Sequence, residues 1–346
     1  VYIPAEDTFG LFLFEDTWPC TGDLDFNDLV LAYNLEIYLN SSGQVSLLRY
    51  ALDVRAVGAG MRQGLGLRLP VPAGAALSIT RTFQGGAPET LQTVVGESEL
   101  VIPVLADIRD AHDQASGFLN TDPALPTRAA SPLALEVRLD PPQTIDFGAA
   151  PFDLFLYRRD EFSHQIHRPQ YGGTDTFDPS LWGSCSDGSG GGRNFVDERG
   201  LPFALEIPVA SLYPAEREPI ELLYPDIVAF AASGGVTHQD FYANPAPGQG
   251  FTAGAGNTPL PPLPTVEAHT WITDLDCLGD PCDPNPCDSG GVCEELPDGQ
   301  YTCDCAGTGA TGTNCGCVCE SWQTCVGDQC IGEGRLRFTL TWSAQA

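Results

Sequence analysis

A chain of 346 residues, 42% of them hydrophobic, can bury a substantial core, and its length allows one large domain with one or two small ones. With 46 acidic against 16 basic residues, the formal charge of -30 repels nucleic acid and anionic lipid while favouring divalent cations, so nucleic acid is excluded as a partner. Every basic residue is Arg, and the absence of Lys removes Schiff-base chemistry, a phosphate-loop lysine and Lys-to-Asn isopeptide cross-links.

From the N-terminus, short apolar or alternating runs are separated by Gly, Pro, Asn and Asp, the pattern of strands joined by turns. They are Leu11 to Phe14, Leu29 to Leu39, Val45 to Val57, Gly64 to Val71, Leu77 to Phe83, Leu100 to Leu105, Leu133 to Leu139 and Phe152 to Tyr157. Asn40-Ser-Ser-Gly-Gln44 reads as a hairpin loop. The expected architecture is all-β, an antiparallel sandwich or jelly roll over residues 1–245. Ser184 to Arg193, mostly Ser and Gly, reads as an exposed loop, and Leu201 to Pro208 as another strand. One short helical stretch is expected over Glu218 to Ser233, kinked or split at Pro225 and ended by Gly234-Gly235.

Residues 246–276, rich in Pro, Gly and Ala, predict a linker or arm, 277–330 a disulfide-rich module, and 331–346 a final strand centred on the alternating Arg335 to Trp342. A lone strand must pair with the sandwich or with a neighbouring subunit. Of the 13 Cys, 11 fall between Cys277 and Cys330, a density that places the protein outside the cytoplasm. No apolar run approaches a membrane span, and the chain is read as mature, its export signal removed.

The segment Asp23-Leu-Asp-Phe-Asn-Asp28 carries the chemistry. Asp23, Asp25 and Asn27 stand at positions 1, 3 and 5 of a calcium loop, where a hard cation takes several oxygens from a short segment. Asp28 occupies the place of the invariant Gly and Asn34 that of the bidentate Glu, and a strand follows, so this is not an EF-hand. Glu15 and Asp16, intruding into an apolar run, are candidate further ligands, with plain surface charge as the alternative. Without a cation, each pair of such carboxylates repels by roughly 1 kcal/mol even when solvated. The expected metal set is therefore Asp23, Asp25, Asn27, Asp28, Asp16 and Glu15, holding Ca2+.

The segments Phe14 to Pro19 and Gly22 to Val30 resemble the hallmark of the LruC-type domain of bacterial surface and outer-membrane-associated proteins. Further matches are Ala56-Val-Gly-Ala59 with Gly64, Gln165-Ile-His167 with Thr174-Asp175, Leu201-Pro-Phe-Ala204, Tyr213-Pro-Ala-Glu216 and Gly234 to Tyr242. The resemblance covers roughly residues 5–245 and implies location and fold more than activity.

Cys282, Cys287, Cys293, Cys303, Cys305 and Cys315 have the spacing of an EGF-like domain, and Asn285 to Cys293 resembles its first half. The resemblance implies the pairs Cys282 with Cys293, Cys287 with Cys303 and Cys305 with Cys315, among fifteen that spacing alone allows. Asp280-Pro281 lacks the acidic pattern of calcium-binding EGF units. Cys317, Cys319, Cys325 and Cys330 form an appended staple with room for two more pairs, and Cys20, Cys185 and Cys277 remain as an odd set that leaves one thiol free or joins two subunits.

Nothing points to catalysis. His164 and His167, three apart on a strand, face opposite ways and share no zinc; Asp187-Gly-Ser-Gly-Gly191 has the wrong order for a serine-protease segment; no carboxylate pair stands out as a glycosidase's. The sequence therefore predicts a non-enzymatic, calcium-stabilised structural or adhesive protein of a bacterial surface, assembled by strand exchange or bound to other surface proteins. A calcium-dependent glycan-binding module is the alternative, with a hydrolase ranked last.

Overall fold

The computed structural model describes residues 1–6, 8–94, 99–112, 117–128, 131–146, 152–185 and 194–247, and in the Cys-rich part residues 282, 285–295, 301–308, 310, 314–315, 323–326 and 329–332. The chain divides into two units, Val1–Thr273 and Asp274–Ala346.

The first unit is built from β1 (Tyr2–Ile3), β2 (Gly10–Phe14), β3 (Leu29–Leu39), β4 (Val45–Ala56), β5 (Gln63–Leu69), β6 (Ala76–Phe83), β7 (Glu89–Thr90), β8 (Leu100–Leu105), β9 (Leu133–Gln143), β10 (Asp153–Arg158), β11 (Glu161–Ile166) and β12 (Ala204–Ile207). A large sheet runs β12-β2-β3-β4-β9-β6-β7, with β1 added to β3, and a second runs β11-β10-β5-β8. All pairings are antiparallel. The β3–β4 hairpin closes over Asn40 to Gln44, where the Asn40 amide donates to the Gln44 carbonyl at 2.8 Å and Gly43 supplies a left-handed φ of 74°.

The alternation of β3 shows how the sheet is buried. Leu29, Leu31, Tyr33, Leu35 and Ile37 face the second sheet, packing with Leu65, Leu67, Ile102, Val104, Leu154 and Leu156. Val30 and Ala32 face the other way, onto a second core with Tyr213, Ile220, Leu223, Tyr224, Ile227 and Phe241. Strand β2 is buried on both faces too, which is why Leu11-Phe-Leu-Phe14 shows no polar alternation. In β5, Gly64 and Gly66 lie opposite Tyr157 and Phe155 of β10, and a Cβ at either glycine would sit 2.2 or 2.3 Å from the facing ring. The small residues make room for the aromatics.

The helical stretch expected over Glu218 to Ser233 is split at Pro225, as the sequence predicts, into α1 (Ile220–Leu223) and α2 (Ile227–Ala232). Pro225 separates them, holding Tyr224 at a ψ of 82°, outside the helical range. Among the described residues no helix is long and apolar enough to cross a membrane.

Cys20 and Cys185 form a disulfide, so only Cys277 of the odd set is left over, and it lies outside the described residues. In the second unit the bonds are Cys282–Cys293, Cys287–Cys303 and Cys305–Cys315. The hairpin β13 (Val292–Glu295) and β14 (Tyr301–Asp304) carries Cys293 opposite Cys303. Gly291 presses on the third bond, where a Cβ would lie 2.5 Å from the Cys315 Sγ. Strands β15 (Gln323–Val326) and β16 (Gln329–Gly332) set Cys325 opposite Cys330 in backbone register. Cys317, Cys319, the Asp187 to Gly191 segment, residues 248–276 of the arm expected over 246–276, and the strand expected over Arg335 to Trp342 lie outside the described residues.

Candidate metal centre

The register of β2 against β3 assembles the centre. Phe14 pairs with Leu29, so continuing the antiparallel ladder brings Glu15 and Asp16 beside Asp28 and Asn27. The Asp16 amide donates to the Asp28 Oδ2 at 2.6 Å, and the Glu15 amide to the Phe203 carbonyl at 2.9 Å. The end of β4 closes one side, with the Gly58 amide donating to the Asn27 carbonyl at 2.8 Å. A Cβ on Gly58 would lie 2.0 Å from the Asn27 Oδ1, and one on Gly22 would lie 2.0 Å from the Glu15 Oε1. Only glycine permits these approaches.

Between Asp23 and Asn27 the backbone alternates, with Leu24 at φ 58° and Phe26 at φ 55°. Left-handed conformations at non-glycine residues cost about 1–3 kcal/mol each. Burial of Leu24 and Phe26 in the helix-side core offsets that strain and turns Asp25 and Asn27 the other way. The segment Tyr213 to Arg217 completes the wall. The Arg217 amide donates to the Asp25 Oδ2 at 2.7 Å, and the Asn27 Nδ2 to the Pro214 carbonyl at 3.3 Å.

Glu15, Asp16, Asp25, Asn27 and Asp28 are all buried, Glu15 and Asn27 completely, while Asp23 is exposed. The alternative reading of Glu15 and Asp16 as surface charge is thereby removed. Other buried acids pair with arginines: Glu136 with Arg49, Asp107 with Arg62, Glu99 with Arg68, Asp197 with Arg199 and Asp153 with Arg168. None of Glu15, Asp16, Asp23, Asp25 or Asp28 forms an ion pair among the described residues. Burial, reinforced by Asp25, Asp23 and Asp16, pushes the Glu15 carboxyl up to about 8. Burial, then Asp23, raises Asp25 to about 7; Asp28 is driven well up by burial and then by Asp16 and Glu15; Asp16 is raised chiefly by burial. Such a cluster is unfavourable as anions unless a cation enters.

The signs of these shifts give a test. Carboxyls raised in the fold from ordinary values of 4.5 for Glu15 and 3.8 for Asp25 favour folding fully below those values, and the contribution is lost as pH rises through about 7 to 8. Calcium-free protein should therefore melt lower at pH 8 than at pH 5, and calcium should remove that trend by taking the place of the protons. Calorimetric melts at the two pH values, with and without calcium, check this; equal melting of the calcium-free protein at both would contradict it.

Two contributors are absent from the sequence-derived set. Gln63, at the start of β5, donates from Nε2 to the Asp16 Oδ2 at 3.3 Å, and its own Oε1 is buried without a hydrogen-bond partner. Glu216 stands beside the exposed end, its carboxyl raised by partial burial and then by Asp23. Sequence proximity reveals neither, although Tyr213-Pro-Ala-Glu216 is one of the motifs quoted above. Asn34, on β3, is elsewhere: its Nδ2 donates to the Ala5 and Thr8 carbonyls at 2.9 and 2.7 Å. The two His are buried apart, His164 Nε2 lying 2.9 Å from the Trp18 carbonyl and His167 Nδ1 2.5 Å from the Asp153 Oδ2.

An antiparallel sandwich with a buried acidic centre, carried on one chain with a disulfide-stapled EGF-like unit, defines an extracellular or surface β-protein. The chain belongs to the family described as Domain of unknown function (DUF4842), whose model matches residues 43–242, and an EGF-like domain matches residues 282–314. The human EGF-like repeat and discoidin I-like domain-containing protein 3 is 51% identical over 43 residues, which are 12% of this chain and 9% of that protein. The match thus spans about a tenth of that relative's length. A lipoprotein-like protein of Bacteroides ovatus with a known crystal structure superposes with a TM-score of 0.50 at 17% identity, over 70% of this chain and 75% of that one. That likeness concerns the fold. Within the family match lie Gly58, Gln63 and Glu216, whereas the loop from Asp23 to Asp28 precedes it.

Proposed function

We propose that this chain is a calcium-stabilised structural protein of a bacterial surface, working as an adhesive or fibre-forming subunit without enzymatic activity. The carrying observation is the buried carboxylate cluster of Glu15, Asp16, Asp25 and Asp28, without an Arg ion pair among the described residues, at the junction of β2, β3, the end of β4 and the Tyr213 to Arg217 segment. A cation there ties the end of β2 to the loop before β3, and hydrogen bonds from the end of β4 and the Tyr213 to Arg217 segment hold that loop in place, which is a structural role. Support for a surface setting comes from the EGF-like domain, the disulfides, the resemblance to LruC-type domains and the lipoprotein-like neighbour. The fibre reading draws on the alternation of Arg335 to Trp342 in the sequence, a pattern suited to pairing with a neighbour's sheet edge. Electron microscopy of the full chain in calcium should show filaments that are lost when Arg335 to Trp342 is deleted. A field of monomers only would overturn the fibre role.

A second reading, a calcium-dependent glycan binder, is favoured by one feature: Asp23 is exposed, so an ion held there would face solvent and could accept a ligand hydroxyl. A glycan array positive only in calcium would select this reading.

A further inference from the structure

The carboxylates of the centre fall into two groups of three. One oxygen each of Glu15, Asp23 and Asp25 lies within 4.8 Å of the others, and the same holds for one oxygen each of Glu15, Asp16 and Asp28. The two sets share only Glu15. Calcium binds oxygen at about 2.3–2.6 Å, so two ligands of one ion stand at most about 5 Å apart, and each set has the span of a single coordination sphere.

We propose that the centre holds two calcium ions bridged by the Glu15 carboxylate, an inner one on Asp16 and Asp28 and an outer one on Asp23 and Asp25. The proposal rests on the calcium reading above and extends it from one ion to two. A second observation points to ligands independently of the cluster. Glu15 is fully buried, its Oε1 accepts from the Thr17 hydroxyl at 2.9 Å, and its Oε2 has no hydrogen-bond partner. Gln63, also fully buried, turns its amide on Asp16 and leaves its Oε1 unpartnered beside the inner set. A buried, unpartnered carboxylate oxygen and a buried, unpartnered amide oxygen are the oxygen types that a hard cation takes as ligands. Charge agrees with the count. Five carboxylates, four of them buried, carry five negative charges; one calcium would leave three, while two leave one.

The two ions differ in access. The inner set is buried throughout, whereas the outer set has the exposed Asp23, with Glu216 alongside. The outer ion should therefore exchange faster and keep water ligands. In crystals of the full chain grown with terbium as probe, anomalous maps should show two peaks in the cluster, about 4 Å apart as in carboxylate-bridged two-metal sites. Asp23→Asn, a change at an exposed side chain, should remove the outer peak and keep the inner one. Native mass spectrometry with calcium should likewise show one ion fewer in Asp23→Asn and two fewer in Glu15→Gln. A single peak in the wild-type protein overturns the two-ion inference and leaves the calcium reading standing; no peak overturns both. Two peaks of full occupancy in Asp23→Asn would overturn the assignment of the outer ion.

Discussion

In about 1 mM calcium, Glu15→Gln is expected to lower the unfolding free energy of the sandwich by about 3 kcal/mol, and in calcium-free buffer at pH 7 to leave it unchanged or slightly higher. The first figure is mass action for one ion, a lower bound where Glu15 holds two: an ion bound with a dissociation constant near 10 µM and present at about a hundredfold excess stabilises the fold by about 2.7 kcal/mol. The change of sign follows from burial. With its carboxyl pushed up to about 8, Glu15 in the empty site holds a proton at pH 7, and an isosteric amide replaces that neutral form without the charge penalty. Denaturant unfolding in the two buffers separates this from simple packing damage, which would destabilise equally in both. Equal loss in both buffers would remove Glu15 from the ligand set.

The second large effect is expected at Cys20–Cys185. This bond closes a loop with a sequence separation of 165, long enough for a large reduction in unfolded-state entropy. It also ties down the approach to the acidic loop. Trp18, two residues before Cys20, is fully buried among His164, Phe177, Trp182 and Phe195, with ring centroids 4.8–6.0 Å apart. Replacing both cysteines by Ser should destabilise the unit by about 2–5 kcal/mol. Because Trp18 leads into the loop from Gly22, the double variant should also bind calcium more weakly. Denaturant midpoints and a calcium titration check both parts; unchanged stability would mean that the aromatic cluster alone holds the segment.

Much of this arrangement is legible along the chain, and the gaps have identifiable causes. Strands β2 to β6 and β8 to β10 announce themselves because apolar residues alternate or run together between turn residues, as in Leu29 to Leu39. Strand β11 does not: Glu161-Phe-Ser-His-Gln-Ile166 has little apolar periodicity, and it becomes a strand through pairing with β10. Strands β1 and β7 are two residues each, too short for any period. For the site, spacing within Asp23 to Asp28 points to calcium, but spacing cannot show that Glu15 and Asp16 return to the same place. The pairing of Phe14 with Leu29 does that, and it could be foreseen only by treating β2 and β3 as neighbours. Gln63 and Glu216 arrive from β5 and from the segment before α1, separations of 47 residues from Asp16 for Gln63 and 192 from Asp25 for Arg217, next to Glu216. No local pattern encodes such distances. Likewise the partner of Cys20 is fixed by the packing of Trp18 on Trp182, not by any Cys spacing.

The central claim is that a cation, and not protons or arginines, balances the buried carboxylates. Thermal unfolding of the full chain at pH 7.5, in about 1 mM calcium and in calcium-free buffer, tests it most directly. The expected result is a calcium-dependent rise of about 5–10 °C in the melting temperature of the sandwich, absent in Glu15→Gln. An identical melting temperature with and without calcium, or an equal rise in Glu15→Gln, would contradict it.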